Sequence, residues 1–283
     1  MEIIRSTEEI KRISQSLQRQ NKSIGFVPTM GALHEGHLTL VRRSVKENTV
    51  TVVSIFVNPI QFNNPEDLEK YPQQQEQDFA LLKQENVDYV FVPDEAEMYP
   101  EGKPSEQYDF GLLDKVLEGA FRPGHFNGVA IVVRRLFDIV QPQKAYFGEK
   151  DFQQLKIIQS LVKQLNMPVS IIPVPIVRET DGLAMSSRNL RLTPEHRKEA
   201  SLIYKTLQES TQLFGKKTIA EIKEFVVSAI NTNPLFEVEY FEIVNADTLE
   251  TIRHHNDAEN CLGAIAVFAG KIRLIDNICY TNK

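Results

Sequence analysis

Cysteine is scarce in this chain of 283 residues: only Cys261 and Cys279 occur. Two thiols build no disulfide framework, and they are expected to be core or near-surface groups of a reducing compartment. No apolar run approaches the ~20 residues that span a bilayer. The opening Met1-Glu2-Ile3-Ile4-Arg5 does not read as a signal peptide. A cytoplasmic protein without a membrane partner is therefore expected. A basic excess is missing too: 32 Lys and Arg stand against 38 Asp and Glu, for a formal net charge of −6. That balance argues against a general nucleic-acid surface. It still allows a local cationic pocket for a small anionic substrate. Internal repeats, low-complexity tracts and long disordered linkers are absent. What remains is ordinary globular composition, 42% hydrophobic and 25% charged, in a length that suits two domains.

Apolar periodicity divides the chain. Thr7 to Leu17 has Ile10, Ile13 and Leu17 at helical spacing. Short β-rich runs follow at Ile24 to Val27, Val50 to Val57, Tyr89 to Val92, Lys144 to Phe147 and Val169 to Val177. Helical stretches lie between them, around Phe79 to Leu82, Val129 to Val140 and Phe152 to Leu165. Strands alternating with helices imply an α/β fold, a parallel sheet with helices on both faces. Ligands of such sheets bind beyond the carboxyl ends of the strands. That rule aligns Thr29-Met30, Asn58, Gly148 and Val177 along one edge. After about residue 180 the pattern changes to helices near 194–214 and 218–231 and β-like runs at 235–244 and 264–275. The second run holds a Gly270-Lys271 hairpin turn. The expected division is 1–180, an α/β domain, and 181–283, a smaller α+β domain.

Five motifs carry chemistry. In Thr29-Met30-Gly31-Ala32-Leu33-His34-Glu35-Gly36-His37 a strand breaks and a helix begins. Helix N-termini favour anions through unpartnered N–H groups and the helix dipole. His34 and His37 share one helix face. They suit nucleotide phosphate, and the alternatives are half a metal site or a solvated turn. Asn58-Pro59-Ile60-Gln61 follows a strand, and its amides either hold a hydroxyl or carboxylate or make a polar loop. In Arg122-Pro123-Gly124-His125, Arg122 and His125 are candidate anion contacts or parts of a structural loop. In Gly148-Glu149-Lys150-Asp151-Phe152-Gln153-Gln154, glycine allows close backbone approach and Lys150 offers a point charge for phosphate. Asp151 is a candidate helix cap there, and Gln154 lies one turn on. Met185-Ser186-Ser187-Arg188 offers two hydroxyls and a guanidinium for phosphate oxygens, or else a linker with a cap.

Together, T-M-G-A-L-H-E-G-H, F-V-N-P-I-Q-F, R-P-G-H-F-N-G-V, F-G-E-K-D-F-Q-Q-L and G-L-A-M-S-S-R-N resemble the pantothenate synthetase (pantoate–β-alanine ligase) family. The motifs run in order through most of 24–190. The family belongs to the HIGH-type nucleotidylyltransferases, and Met185-Ser186-Ser187-Arg188 stands where class I aminoacyl-tRNA synthetases carry KMSKS.

The resemblance implies a Rossmann-like first domain binding ATP and pantoate, a C-terminal lid and a homodimer. It implies ATP-dependent condensation of pantoate with β-alanine through a pantoyl adenylate, releasing pyrophosphate and AMP. His34, His37, Lys150 and Arg188 would be catalytic. The nucleotide would meet Thr29, Met30, Gly31, Ala32, Leu33, His34, Glu35, Gly36 and His37. It would also meet Gly148, Glu149, Lys150, Asp151, Val177, Met185, Ser186, Ser187 and Arg188. Asn58, Gln61 and Gln154 would hold substrate. Mg²⁺ is expected with ATP, and Asp78 is its candidate protein ligand. Two other readings stay open. A nucleotidyltransferase would stop at a dinucleotide product, and an RNA-binding module would need a basic stripe.

Overall fold

Each β-rich run expected between residues 24 and 177 forms a strand, because its alternate residues enter two different cores. The computed structural model describes residues 1–280. In chain order the first elements are β1 (Glu2–Ile4), α1 (Thr7–Arg19), β2 (Ile24–Thr29), α2 (Glu35–Glu47), β3 (Val50–Ile55), α3 (Pro65–Glu69), α4 (Gln75–Gln84), β4 (Tyr89–Phe91) and α5 (Glu95–Met98). Then come α6 (Glu118–Phe121), α7 (His125–Val140), β5 (Lys144–Gly148), α8 (Phe152–Gln164) and β6 (Ser170–Val174). The remainder is α9 (Pro194–Glu199), α10 (Ser201–Thr211), α11 (Ile219–Asn231), β7 (Phe236–Asn245), β8 (Cys261–Ala269) and β9 (Ile272–Tyr280). The chain forms two compact units. The first comprises 1–110, 122–149 and 154–175; the second comprises 111–121, 150–153 and 176–283.

The first unit holds a six-stranded parallel sheet in the order β1-β4-β3-β2-β5-β6. Ile24, Phe26, Val52, Phe91, Ala145 and Phe147 face one core, shared with Ile10 and Leu17 of α1 and Val129, Val133 and Leu136 of α7. Their strand neighbours Val27, Val53, Ile55, Val90 and Tyr146 face the other, shared with Leu40 and Val41 of α2 and Leu82 of α4. A sheet covered on both faces needs apolar residues at successive positions, so its strands read as short continuous runs. β1 escaped sequence reading because three residues at an edge show no alternation. The helix expected at 194–214 is two helices, α9 and α10, meeting at Ala200.

The chain reverses its direction across the sheet at β2, whose neighbours are β3 and β5. β2 pairs with β3 along its whole length, from Ile24 with Val50 to Thr29 with Ile55. Its register with β5 covers only Gly25 with Lys144 and Phe26 with Ala145. Pro28 accounts for the difference. The Ile24 N–H donates to Gln143 Oε1 at 2.6 Å and the Ile24 carbonyl accepts from the Gln143 N–H at 3.0 Å. Ile24 therefore addresses the β5 side, and by alternation so does residue 28. Proline has no N–H to donate there, so the ladder cannot continue. The two central strands part at their carboxyl ends, where a switch in strand order favours a ligand crevice.

The second unit has the antiparallel sheet β7-β8-β9. α10 and α11 cover it through Ile203, Leu207, Ile222, Val226 and Ile230, packed on Phe241, Ile243, Ile265 and Val267. The β8–β9 hairpin closes on Gly270-Lys271, with Gly270 at φ 60°. The segment 111–121 carries Glu118 into this unit. Arg273 bridges Glu118 Oε1 at 2.7 Å and Glu239 Oε2 at 2.6 Å. The Tyr240 hydroxyl donates to Glu118 Oε1 at 2.8 Å. Burial, reinforced by the Glu118 charge, pushes the Tyr240 phenol well above its ordinary value, so it stays a donor. Arg273→Met should leave two half-desolvated carboxylates without their cation. Urea unfolding is expected to report a loss of about 3 kcal/mol, and an unchanged midpoint would refute a stabilising role for the bridge.

Candidate active site

The turn after β2 is held from a distance by one carboxylate. Asp78 on α4 accepts the Ala32 N–H at 2.9 Å and the Leu33 N–H at 2.8 Å. It is 1% exposed, and burial pushes its carboxyl above the usual range against the pull of those two bonds. Gly31 and Ala32 both adopt positive φ, 81° and 49°. A Cβ on Gly31 would sit 3.0 Å from Asp78 Oδ2 and 3.1 Å from Ile55 Cγ2, in a conformation that strains L residues. Thr29 ties the strand end down, its hydroxyl donating to the Ser54 carbonyl at 2.8 Å and accepting the Gly31 N–H at 3.2 Å. Asp78, the candidate protein ligand for Mg²⁺, makes these two backbone contacts. Among the described residues no three His, Cys, Asp or Glu side chains gather to hold a metal ion.

The same turn delivers His34 as the N-cap of α2. His34 Nδ1 accepts the Gly36 N–H at 3.1 Å, and His37 Nδ1 accepts the His34 N–H at 3.3 Å. The rings lie 4.1 Å apart, centroid to centroid. An imidazole that accepts at Nδ1 carries its proton on Nε2, so the network assigns both rings as Nε2–H donors. The backbone N–H groups expected to greet an anion are partly engaged by the histidines themselves.

Across the β3 end, Gln61 is 9% exposed in a short 3₁₀ turn, and Asn58 is 1% exposed. Asn58 Nδ2 donates to Gln61 Oε1 at 3.0 Å and to the Gly128 carbonyl at 3.2 Å, while Asn58 Oδ1 accepts from the Tyr99 hydroxyl at 2.8 Å. The amide of Asn58, a candidate substrate contact, bonds to these protein partners and holds Gln61. His125, read as a candidate anion contact, is buried with Nδ1 2.8 Å from the Gln61 carbonyl. A carbonyl only accepts, so His125 donates and clamps the backbone. Gln154 is half-buried on α8, and a Cβ added to Gly148 would meet no atom within 4 Å. The open space at Gly148 leaves its backbone accessible to a ligand.

In the second unit, two neighbouring residues of β9 hold two of the motif loops. Asp276 binds Arg178 through paired contacts of 2.7 and 3.0 Å, and Arg178 lies 3.6 Å over the Tyr204 ring. Arg178 also reaches the Gly182 carbonyl at 3.2 Å. The loop closes on itself through Glu179 N–H to Leu183 O at 2.8 Å and Met185 N–H to Val177 O at 3.0 Å. Gly182, at φ 97°, leaves room for Tyr204, which a Cβ would approach to 2.6 Å. Ser186 caps the 3₁₀ turn that carries Ser187 and Arg188, accepting the Arg188 N–H at 3.2 Å. Asn277 Nδ2 donates to the Lys150 carbonyl at 3.0 Å. Glu149, Lys150 and Asp151 form a short 3₁₀ turn before α8, with Asp151 exposed. Sequence reading missed Tyr99, Asp276 and Asn277. Asp276 and Asn277 are polar residues inside a strand run and Tyr99 follows the short α5, signals that alone do not name a partner.

A family model described as pantoate–β-alanine ligase matches residues 2–279. The chain belongs to the pantoate–β-alanine ligase family. It is a carbon–nitrogen ligase. The pantothenate synthetase of Azobacteroides pseudotrichonymphae is 53% identical over 281 residues, 99% of this chain and 100% of that protein. That of Bacteroides fragilis is 49% identical over 280 residues, 99% of each. The crystal structure of pantothenate synthetase from Thermus thermophilus superposes with a TM-score of 0.91 at 44% identity, covering 98% of this chain and 99% of that one. The Francisella tularensis pantoate–β-alanine ligase, complexed with β,γ ATP and β-alanine, gives 0.83 at 37% identity, covering 98% and 97%. The Rossmann-like parallel sheet and the smaller α+β region expected from sequence are those of this family. Among the described residues no helix is long and apolar enough to cross a membrane.

Asp78→Ala should leave the buried Ala32 and Leu33 N–H groups without acceptors, at about 1–3 kcal/mol each. We expect a lower urea midpoint together with weaker ATP binding by calorimetry. Asp78→Asn should recover part of both, since its amide oxygen still accepts one bond. Wild-type ATP affinity in a destabilised Asp78→Ala protein would separate the anchor from the site.

Proposed function

We propose that this ligase condenses pantoate with β-alanine in two steps driven by ATP. The pantoate carboxylate attacks the α-phosphorus of ATP, forming pantoyl adenylate and expelling pyrophosphate. The β-alanine amine then attacks the acyl carbon, releasing AMP and pantothenate. A free carboxylate is a poor acyl donor, and adenylation converts its oxygen into part of a good leaving group. Such a reaction asks for oriented anion donors and needs no covalent nucleophile.

The observation that carries this reading is the fixed pair of Nε2–H donors at the start of α2, beyond the parted ends of β2 and β5. His34 and His37 are assigned to the phosphates, with Thr29, Met30, Gly31, Ala32, Leu33, Glu35 and Gly36 shaping the nucleotide corner. Gly148, Glu149, Lys150, Asp151 and the Val177 backbone are assigned to the nucleotide as well. Lys150, Met185, Ser186, Ser187 and Arg188 are assigned to the phosphate side, Lys150 and Arg188 as compensating cations. Gln61 and Gln154 are assigned to pantoate. The Asn58 amide and Asp78 carboxylate make internal contacts, which supports giving them supporting roles.

Mg²⁺ is proposed as ATP's companion. The described carboxylates and imidazoles make no three-ligand cage, which favours an ion bound mainly by phosphate and water. The family resemblance further supports a cytoplasmic homodimer divided into a nucleotide domain, 1–180, and a lid, 181–283. A nucleotidyltransferase that stops at a dinucleotide would use the same corner. Neutral amides at Gln61 and Gln154 favour a hydroxy acid over a phosphomonoester.

Pantoate-dependent exchange of labelled pyrophosphate into ATP tests the first step without β-alanine. His37→Ala should lower it by roughly 10²–10³ while the protein stays folded; near-normal exchange would remove His37 from the phosphates. Arg188→Ala should slow adenylate formation far more than AMP release from preformed adenylate supplied with β-alanine. Impairment confined to the second step would overturn its placement.

A further inference from the structure

The hydrogen bonds around Gln61 fix which end of its amide is offered to a ligand. The Gly128 carbonyl can only accept. The Asn58 atom 3.2 Å from it must therefore be Nδ2. Nδ2 has a second hydrogen, directed at Gln61 at 3.0 Å, so the Gln61 atom there must be the oxygen. Gln61 Nε2 is left on the outer side, 3.3 Å from Met30 Sδ, a weak acceptor that an oxygen ligand easily replaces. The opposite end of Asn58 is Oδ1, and it accepts the Tyr99 hydroxyl at 2.8 Å.

Tyr99 lies at the C-terminal end of α5, 6% exposed, with its ring edge-on to Phe56 at 6.1 Å. Burial pushes its phenol up, so the O–H persists across the working pH range. The backbone is fixed as firmly as the side chain. His125 holds the Gln61 carbonyl at 2.8 Å, and a Cβ on Gly128 would lie 2.9 Å from Gln61 Cα. Only glycine at 128 allows α7 to press this closely on the Gln61 turn.

We propose that Tyr99 is a positioning residue for pantoate: through Asn58 it locks Gln61 as a hydrogen-bond donor, its NH₂ turned to a substrate oxygen. The inference rests on the assignment of Gln61 to pantoate. Tyr99 itself touches no substrate. Its hydroxyl satisfies Asn58 Oδ1, and without it a buried carbonyl oxygen lacks a donor and Asn58 shifts to find one.

Steady-state kinetics on the full-length enzyme tests this with Tyr99→Phe, Gln61→Ala, Gln61→Glu and the double variant Tyr99→Phe/Gln61→Ala. Tyr99→Phe should raise the pantoate KM about tenfold, the equivalent of one net hydrogen bond, and leave the ATP KM within about twofold. In the Gln61→Ala background the same change should add nothing, because the two residues act in series. Gln61→Glu keeps an oxygen for Asn58 but offers carboxylate to carboxylate, so it should lose pantoate at least as severely as Gln61→Ala. Parallel rises in both KM values, or a full additional effect in the double variant, would overturn the role of Tyr99 alone. Wild-type use of pantoate by Gln61→Glu would overturn the donor orientation, and this holds even if Tyr99→Phe fails to fold. An unchanged pantoate KM in Gln61→Ala would overturn the assignment of Gln61 and the inference with it.

Discussion

The geometry of the turn after β2 depends on the two hydrogen bonds that Asp78 accepts from consecutive N–H groups, those of Ala32 and Leu33. Both Gly31 and Ala32 have left-handed backbone, which a free tetrapeptide would seldom hold. The carboxylate makes that conformation the favoured one by turning two otherwise orphaned donors inward. Burial disfavours its charge and pushes its carboxyl above the usual range. The arrangement survives because breaking it strands three polar groups at once. From this fixed turn follow the His34 cap, the start of α2 and the orientation of both imidazoles.

The second constraint is an omission. Proline at 28 withholds a donor from the side of β2 that addresses β5, and the registered pairing on that side covers only two residue pairs. Pairing with β3 is untouched, since that side is served by the alternate residues. A central strand thus keeps one neighbour and releases the other. The opening lies where the chain's direction across the sheet reverses, and the histidine-bearing turn begins one residue later, at Thr29. Crevice and donor pair are therefore products of one short run of sequence.

That locality explains what was legible. Strands β2 to β6, the helix beginning at His34, the Gly270 hairpin and the five polar loops could be read because each is written in neighbouring residues. The histidine pair, Gln61 and Gln154 were singled out from such local patterns, and the motif set identified the family. The supporting residues could not be read this way. Asp78 meets Ala32 across 46 positions, Tyr99 meets Asn58 across 41, and Asn277 meets Lys150 across 127. Asn58, in the loop after β3, and His125, in a glycine loop, read as candidate ligand contacts, and neither pattern names the protein groups they bond. The segment 111–121 was assigned with the first domain by position, yet its Glu118 completes the bridge with Arg273 in the second.

Asp276 and Asn277 are adjacent on β9, so by the alternation of a strand their side chains leave opposite faces. One grips Arg178 at the base of the serine–arginine loop, the other the Lys150 carbonyl. β9 is an outer strand of its sheet and pairs with β8. A slip of a single residue there would exchange the two faces and release both loops together. Two loops that lie 98 and 127 positions earlier in the chain thus share one strand as their anchor. Sequence changes that shift β9 would therefore act on both loops at once.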